Sequence, residues 1–135
     1  MKHFFFCLLV LFCASSMYGQ KLKSADVPAA VKTAFEKAYP NATKVNWEKE
    51  DTGYEAEFKI GSKDEQSIVF DASGKWLEKE IEINKADLPA PVLAALKGKR
   101  IKEASKITKA DGTVLYEAEV KHKDLLFDGN GKPVM

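Results

Sequence analysis

Beyond residue 13 the 135-residue chain has no cysteine. Without Cys7 and Cys13 it has no disulfide, no thiolate nucleophile and no sulfur ligand for a metal. Histidine is almost as scarce, with His122 alone after His3. A nucleophile–base pair of the usual kinds therefore has little to be built from. Charge of one sign is missing too: 21 Lys+Arg stand against 20 Asp+Glu, for a net charge of +1. That balance leaves no electrostatic footprint for a nucleic-acid partner. The longest apolar run, Phe4 to Ala14, has 11 residues. A bilayer span needs about 20. The length excludes a multidomain enzyme, and at 45% hydrophobic and 30% charged the composition is that of a globular domain.

The short apolar run has a different meaning. It follows Lys2 and His3 and precedes the small and polar residues Ser15, Ser16 and Gly19. This is the pattern of a secretory signal peptide over residues 1–19, with cleavage between Gly19 and Gln20, or after Ser16. Phe12, before Cys13, is too large for a lipoprotein signal. The expected location is periplasmic or secreted, with no membrane span after cleavage. The mature chain, 116 residues with 20 basic and 20 acidic side chains, is large enough to fold without cross-links.

Three segments recur in the same order. Asp26-Val27-Pro28 returns as Asp87-Leu88-Pro89, and Tyr54-Glu55-Ala56-Glu57 returns unchanged as Tyr116-Glu117-Ala118-Glu119. Phe70-Asp71 with Gly74-Lys75 returns as Phe127-Asp128 with Gly131-Lys132. We read a tandem duplication, with repeats over residues 20–84 and 85–135. Each opens with a helix, for which Asp26 and Asp87 are candidate N-caps and Pro28 and Pro89 suit the first turn. Val31, Ala34, Phe35 and Ala38 form the apolar stripe of the first helix, and Val92, Ala95 and Leu96 that of the second. Tyr39-Pro40 and Gly98 are the expected stops.

Strands follow. The first repeat predicts strands at Thr43–Glu50, Tyr54–Ile60, Gln66–Asp71 and Trp76–Ile83. The second predicts Ala104–Lys109, Val114–Lys121 and Leu125–Asp128, with only Lys132–Met135 left for a fourth. Alternation places Tyr54, Ala56, Phe58 and Ile60 on one face and Glu55, Glu57 and Lys59 on the other, the pattern of an antiparallel sheet with one packed and one wet face. On that parity Glu78, Glu80 and Glu82 meet water, and Trp76 falls with them.

These residues resemble a known family. A proline-started short helix, then Tyr-Glu-Ala-Glu-Phe (54–58), then Phe-Asp-x-x-Gly-Lys-Trp (70–76) is similar to the PepSY-like, β-lactamase-inhibitor-like (BLIP-like) secreted proteins of Gram-negative bacteria. The resemblance implies an α+β fold: a helix followed by antiparallel strands, duplicated, with the helices packed on one face of the sheet. It also implies an open sheet face of the kind with which true β-lactamase inhibitor proteins grip an enzyme. The second repeat departs from the pattern at Pro133, which stands where the first has Trp76.

The chemistry expected from the residues is sparse. Glu55/Glu57, Glu117/Glu119 and Glu78/Glu80/Glu82 are paired carboxylates of the kind glycosidases use, but such work needs one of them buried, and alternation reads them as a solvated face. Asp128-Gly129-Asn130-Gly131 opens like a calcium loop but has Lys132 at its fifth position, so it reads as a turn. His122 reads as a turn residue. No catalytic residue, metal or cofactor is expected. The preferred expectation is a non-enzymatic exported module that binds a protein, such as a hydrolase it inhibits or modulates, through Trp76, Glu55, Glu57, Glu78, Glu80 and Lys44. The alternatives are a small-molecule or peptide site in a groove between the repeats, and, further off, an acid/base hydrolase.

Overall fold

The computed structural model describes residues 20–62 and 65–134. The proposed signal peptide lies outside them. The described residues form one eight-stranded antiparallel sheet in which the strands lie in sequence order. The strands are β1 (Gln20–Leu22), β2 (Ala42–Lys49), β3 (Tyr54–Ile60), β4 (Gln66–Phe70), β5 (Trp76–Glu82), β6 (Ile101–Lys109), β7 (Val114–Val120) and β8 (Lys123–Asp128). Two helices, α1 (Ala29–Ala38) and α2 (Ala90–Ala95), precede β2 and β6, each after a single 3₁₀ turn. The α+β class and the helix-then-strands order of both repeats are as expected. Among the described residues β1 is an addition: at three residues it is too short to show a period, and it is held as a strand only by pairing with Glu48 and its neighbours on β2.

The helix starts differ from the expectation. Asp26 and Asp87 close the 3₁₀ turns and cap nothing with their side chains; Pro28 and Pro89 occupy the N-cap positions. The 3₁₀ turns place Val27 and Leu88 in the core directly ahead of each helix. Pro91, near the start of α2, sacrifices no hydrogen bond there.

Each helix covers its own half of the same sheet face. Val31 and Phe35 of α1 pack with Trp47, Ala56, Phe58, Ile68 and Phe70. The Phe35 ring meets Trp47 and Phe58 edge-on, at centroid distances of 5.3 and 5.1 Å. Val92 of α2 and Leu96 pack with Ala104, Ala118, Val120 and Phe127. Burial of such aromatic and aliphatic side chains contributes about 1.5–3 kcal/mol each and holds the helices to the sheet.

The duplication is visible at single hydrogen bonds. The Asp71 carboxylate accepts from the amides of Ser73 and Lys75 at 2.8 and 3.1 Å; Asp128 accepts from Asn130 and Lys132 at 2.8 and 3.0 Å. Both turns pass through a glycine with φ near +80°, Gly74 and Gly131. Each lies against its helix, so that a Cβ would strike the carbonyl of Ala30 or of Pro91. The carboxylate of Asp128 is thus engaged in closing a turn, as the sequence reading expected. After it, Pro133 bridges Phe127 as Trp76 pairs with Phe70, a remnant of the fourth strand.

Three bulges set the side-chain directions. One extra residue interrupts β2 between Thr43 and Asn46, and another β6 between Ile101 and Ala104. The third is in β5, where Trp76 pairs with Phe70 but Glu78 with Val69. The repeats meet without a gap: β5 pairs with β6 from Glu78–Lys109 to Glu82–Ser105.

Candidate functional site

The face turned away from the helices is a field of carboxylates. Successive strands bring Glu48 opposite Glu55, Glu55 opposite Val69, Val69 opposite Glu78, and Glu78 opposite Lys109. The next row runs Asn46, Glu57, Ser67, Glu80, Ile107, Leu115. A third joins Glu82, Ser105, Glu117 and Leu126. Glu55, Glu57, Glu78 and Glu80 therefore do share one surface, as the sequence reading placed them, and Glu117 joins them from the second repeat.

That surface is not the wet face expected. Glu55 is 3% exposed, and Ser67, Val69, Ile107 and Leu115 on the same face are also buried. Glu57, Glu78, Glu80 and Glu117 are half-buried. The helices are on the other side, so the sheet shields these residues by curling around them. Twist accumulates over eight strands, and each bulge adds to it. One signal in the sequence pointed this way: Ser67-Ile68-Val69-Phe70 is apolar on both parities, which marks a strand buried on both faces.

Crowding carboxyls in a curled sheet changes their protonation. Burial pushes Glu55 up to about 8, reinforced by Glu57, Glu50 and Glu80 and only partly offset by a hydrogen bond from Ser67. Burial pushes Glu80 up to about 7, with Glu78, Asp124 and Glu57 adding repulsion and Ser105 opposing it. Glu117 rises to about 9 through burial and then the charges of Glu80, Asp124, Glu78 and Glu119. Glu57 and Glu78 are raised by burial as well, and the Lys109 ammonium, 3.9 Å from Glu78, pulls the latter back. Glu55 Oε1 and Glu80 Oε2 are buried without a hydrogen-bond partner. Such an atom costs about 1–3 kcal/mol in desolvation, so the face is short of cationic or donor groups.

The remaining sequence candidates sit elsewhere. Trp76 is on the helix side: the bulge at Leu77 reverses its parity, and the ring packs against the first-repeat core with the Lys79 ammonium 4.5 Å above it. It does not stand with the glutamates as expected. Lys44 is exposed at the β2 bulge with φ of 53°, off the carboxylate rows. His122 is an exposed turn residue at φ 63°, with its Nδ1 3.7 Å from Glu119. Between the repeats the β5–β6 ladder makes the sheet continuous. An open depression of about 430 Å³ lies within the first repeat, lined by Lys32, Phe35, Glu36, Tyr39, Val45 and Trp47 among others. Sequence reasoning passed over Glu48, near the end of β2, and Glu50, just beyond it, both close to Glu55, and the two serines that bond the buried glutamates.

The family model described as putative beta-lactamase-inhibitor-like, PepSY-like matches residues 16–66 and 58–133. The chain belongs to the PepSY-like family. The family model matches twice in tandem, the second match starting within β3 of the first repeat and running through the second. Among solved structures it is similar to a BLIP-like protein from Bacteroides fragilis, at 27% identity and TM-score 0.62 over 80% of this chain and 84% of that one. A putative periplasmic protein from Bacteroides eggerthii aligns at 19% identity and TM-score 0.72, over 81% and 86%. A DUF2874 family protein from Bacteroides uniformis aligns at 21% and 0.70, over 80% and 86%. These likenesses establish a BLIP-like fold. No curated protein matches the chain.

Proposed function

We propose that this PepSY-like chain is an exported, non-enzymatic binding module whose curled carboxylate face receives a Lys- or Arg-bearing segment of a protein partner. The observation that carries the reading is the convergence of Glu55, Glu57, Glu78, Glu80 and Glu117 on one half-buried face, where burial and mutual repulsion favour the protonated forms. An incoming cation stabilises their ionised forms, so binding releases protons and supplies the missing donors. Export is supported by the signal-like N-terminus and by a structural neighbour described as periplasmic. No helix among the described residues is long and apolar enough to cross a membrane. The BLIP-like neighbour suggests a hydrolase as the restrained partner.

Affinity capture from envelope extract, with residues 20–135 immobilised, tests this. A protein retained at low salt, released by salt and lost with the Glu80→Gln/Glu117→Gln variant is the expected result. Equal retention by that variant, or no protein retained in repeated trials, refutes it.

A second reading, an acid/base hydrolase, gains from Glu80, since a carboxyl raised to about 7 is what a general acid needs. Hydrolysis of chromogenic glycosides or esters that disappears in Glu80→Gln would establish it.

A further inference from the structure

The β2–β3 hairpin holds a second carboxylate cluster, which shares Glu55 with the binding face and adds Glu48 and Glu50, which the binding reading does not use. Glu48 on β2 faces Glu55 on β3, and Glu50, two residues beyond Glu48, returns to the same side as the chain turns. The turn is fixed: the Glu50 amide donates to the Gly53 carbonyl at 2.9 Å, and the Gly53 amide donates back. A Cβ on Gly53 would collide with the Phe70 carbonyl, so the hairpin end is seated against β4. One oxygen from each of Glu48, Glu50 and Glu55 lies within 4.8 Å of the others.

Three carboxylates this close repel one another, and the Lys49 ammonium, whose charge offsets this only at Glu50, makes no ion pair with them. Lys49 points to the opposite face, where its Nζ donates to the carbonyls of Glu50 and Gly53 at 2.7 and 3.1 Å and lies 4.6 Å from the Tyr54 ring centroid. Lys21, opposite Glu48 on β1, turns its charge to Glu57. An independent observation concerns Glu55 itself. It is buried to 3% exposure, and its Oε1 has no hydrogen-bond partner. A buried carboxylate oxygen with no donor, in a group converging on two more carboxylates, lacks a positive ligand.

We propose that Glu48, Glu50 and Glu55 bind a divalent cation of calcium size at the β2–β3 hairpin. The donors are all oxygen, which selects hard cations over zinc or copper. Calcium accepts several carboxylates, mono- or bidentate, in an irregular shell, whereas magnesium takes one or two and keeps most of its water. Three carboxylates converging at one hairpin suit the former. Three carboxylates supply up to six oxygens when bidentate, and water completes the shell. The inference does not rest on the partner-binding reading.

The test is calorimetric titration of residues 20–135 with calcium chloride and with magnesium chloride, in chelator-treated buffer at neutral pH. Thermal melts with and without the metal run alongside. The expected result is one site, calcium bound more tightly than magnesium, and a melting temperature that rises with calcium. Glu55→Gln and Glu48→Gln, each close in shape to the native residue, should weaken calcium at least tenfold and abolish the thermal shift, while Glu103→Gln keeps both. No saturable heat or thermal shift with millimolar calcium overturns the proposal. So does undiminished binding by both site variants, or a preference for magnesium.

Discussion

Glu117 offers the most direct measurement of what the curled face costs. A glutamate in an unfolded chain titrates near 4.5, and the folded chain raises Glu117 to about 9. Between those values the folded state holds one proton more than the unfolded state. The stability this contributes is whole below pH 4.5 and is lost as pH rises toward 9. The slope for one proton is about 1.4 kcal/mol per pH unit, so the step from pH 5 to pH 7 is at most about 2.7 kcal/mol. Glu117 is half-buried, and its titration is shared with Glu80 and Glu78 on β5, Asp124 on β8 and Glu119 on its own strand. Screening and that coupling reduce the loss to about 1–1.5 kcal/mol. Glu117→Gln removes the titration and keeps the shape. Urea unfolding of residues 20–135 at pH 5, 6, 7 and 8, with chelator present, should show the variant gaining on the wild type by that amount from pH 5 to pH 7. In melting temperature this is about 4–6 °C for a domain of this size. Parallel curves for the two proteins, or a wild type that grows more stable from pH 5 to pH 8, would refute the reasoning.

Other expectations follow from packing and backbone. Gly74→Ala combines φ of +87° with a Cβ 2.6 Å from the Ala30 carbonyl, and should cost about 3 kcal/mol or more. Gly112→Ala, at φ +89° with open space around it, should cost only about 1 kcal/mol in the same denaturant titration. Phe58→Ala, which empties the site between Phe35 and Tyr39, should lose about 3–5 kcal/mol by urea unfolding. Trp76→Ala should cost about 1–2 kcal/mol through lost packing and cation–π contact, while leaving envelope capture unchanged; loss of capture without loss of stability would return Trp76 to the binding surface.

Local pattern sufficed for most of the architecture. The repeated Tyr-Glu-Ala-Glu and Phe-Asp-x-x-Gly-Lys segments located matching strands and turns, and their periods placed Val31, Phe35, Ala56 and Phe58 in the core. What escaped depends on accumulated or displaced geometry. Parity says which side Glu55 and Glu80 project to, but not how far eight strands curl, and the curl decides whether that side is wet. A bulge shifts parity by one without a signal in spacing, which is why Trp76 reads as a neighbour of the glutamates and is found beside α1. The 3₁₀ turns displaced both helix starts by two residues, because Asp-x-Pro suits such a turn as well as a cap. Glu48 and Glu50 draw no notice in a strand rich in charge until the hairpin turns them onto Glu55.

The ladder between β5 and β6 has an evolutionary consequence. The crowded glutamates come from both repeats, and they meet only because hydrogen bonding runs unbroken from Lys109 to Glu78 and from Ser105 to Glu82. An ancestor with a single repeat would have owned half of this surface and a raw edge at β5. Two such ancestral molecules could have assembled the whole by pairing edge to edge, and fusing their genes would then have made a homodimer's interface permanent.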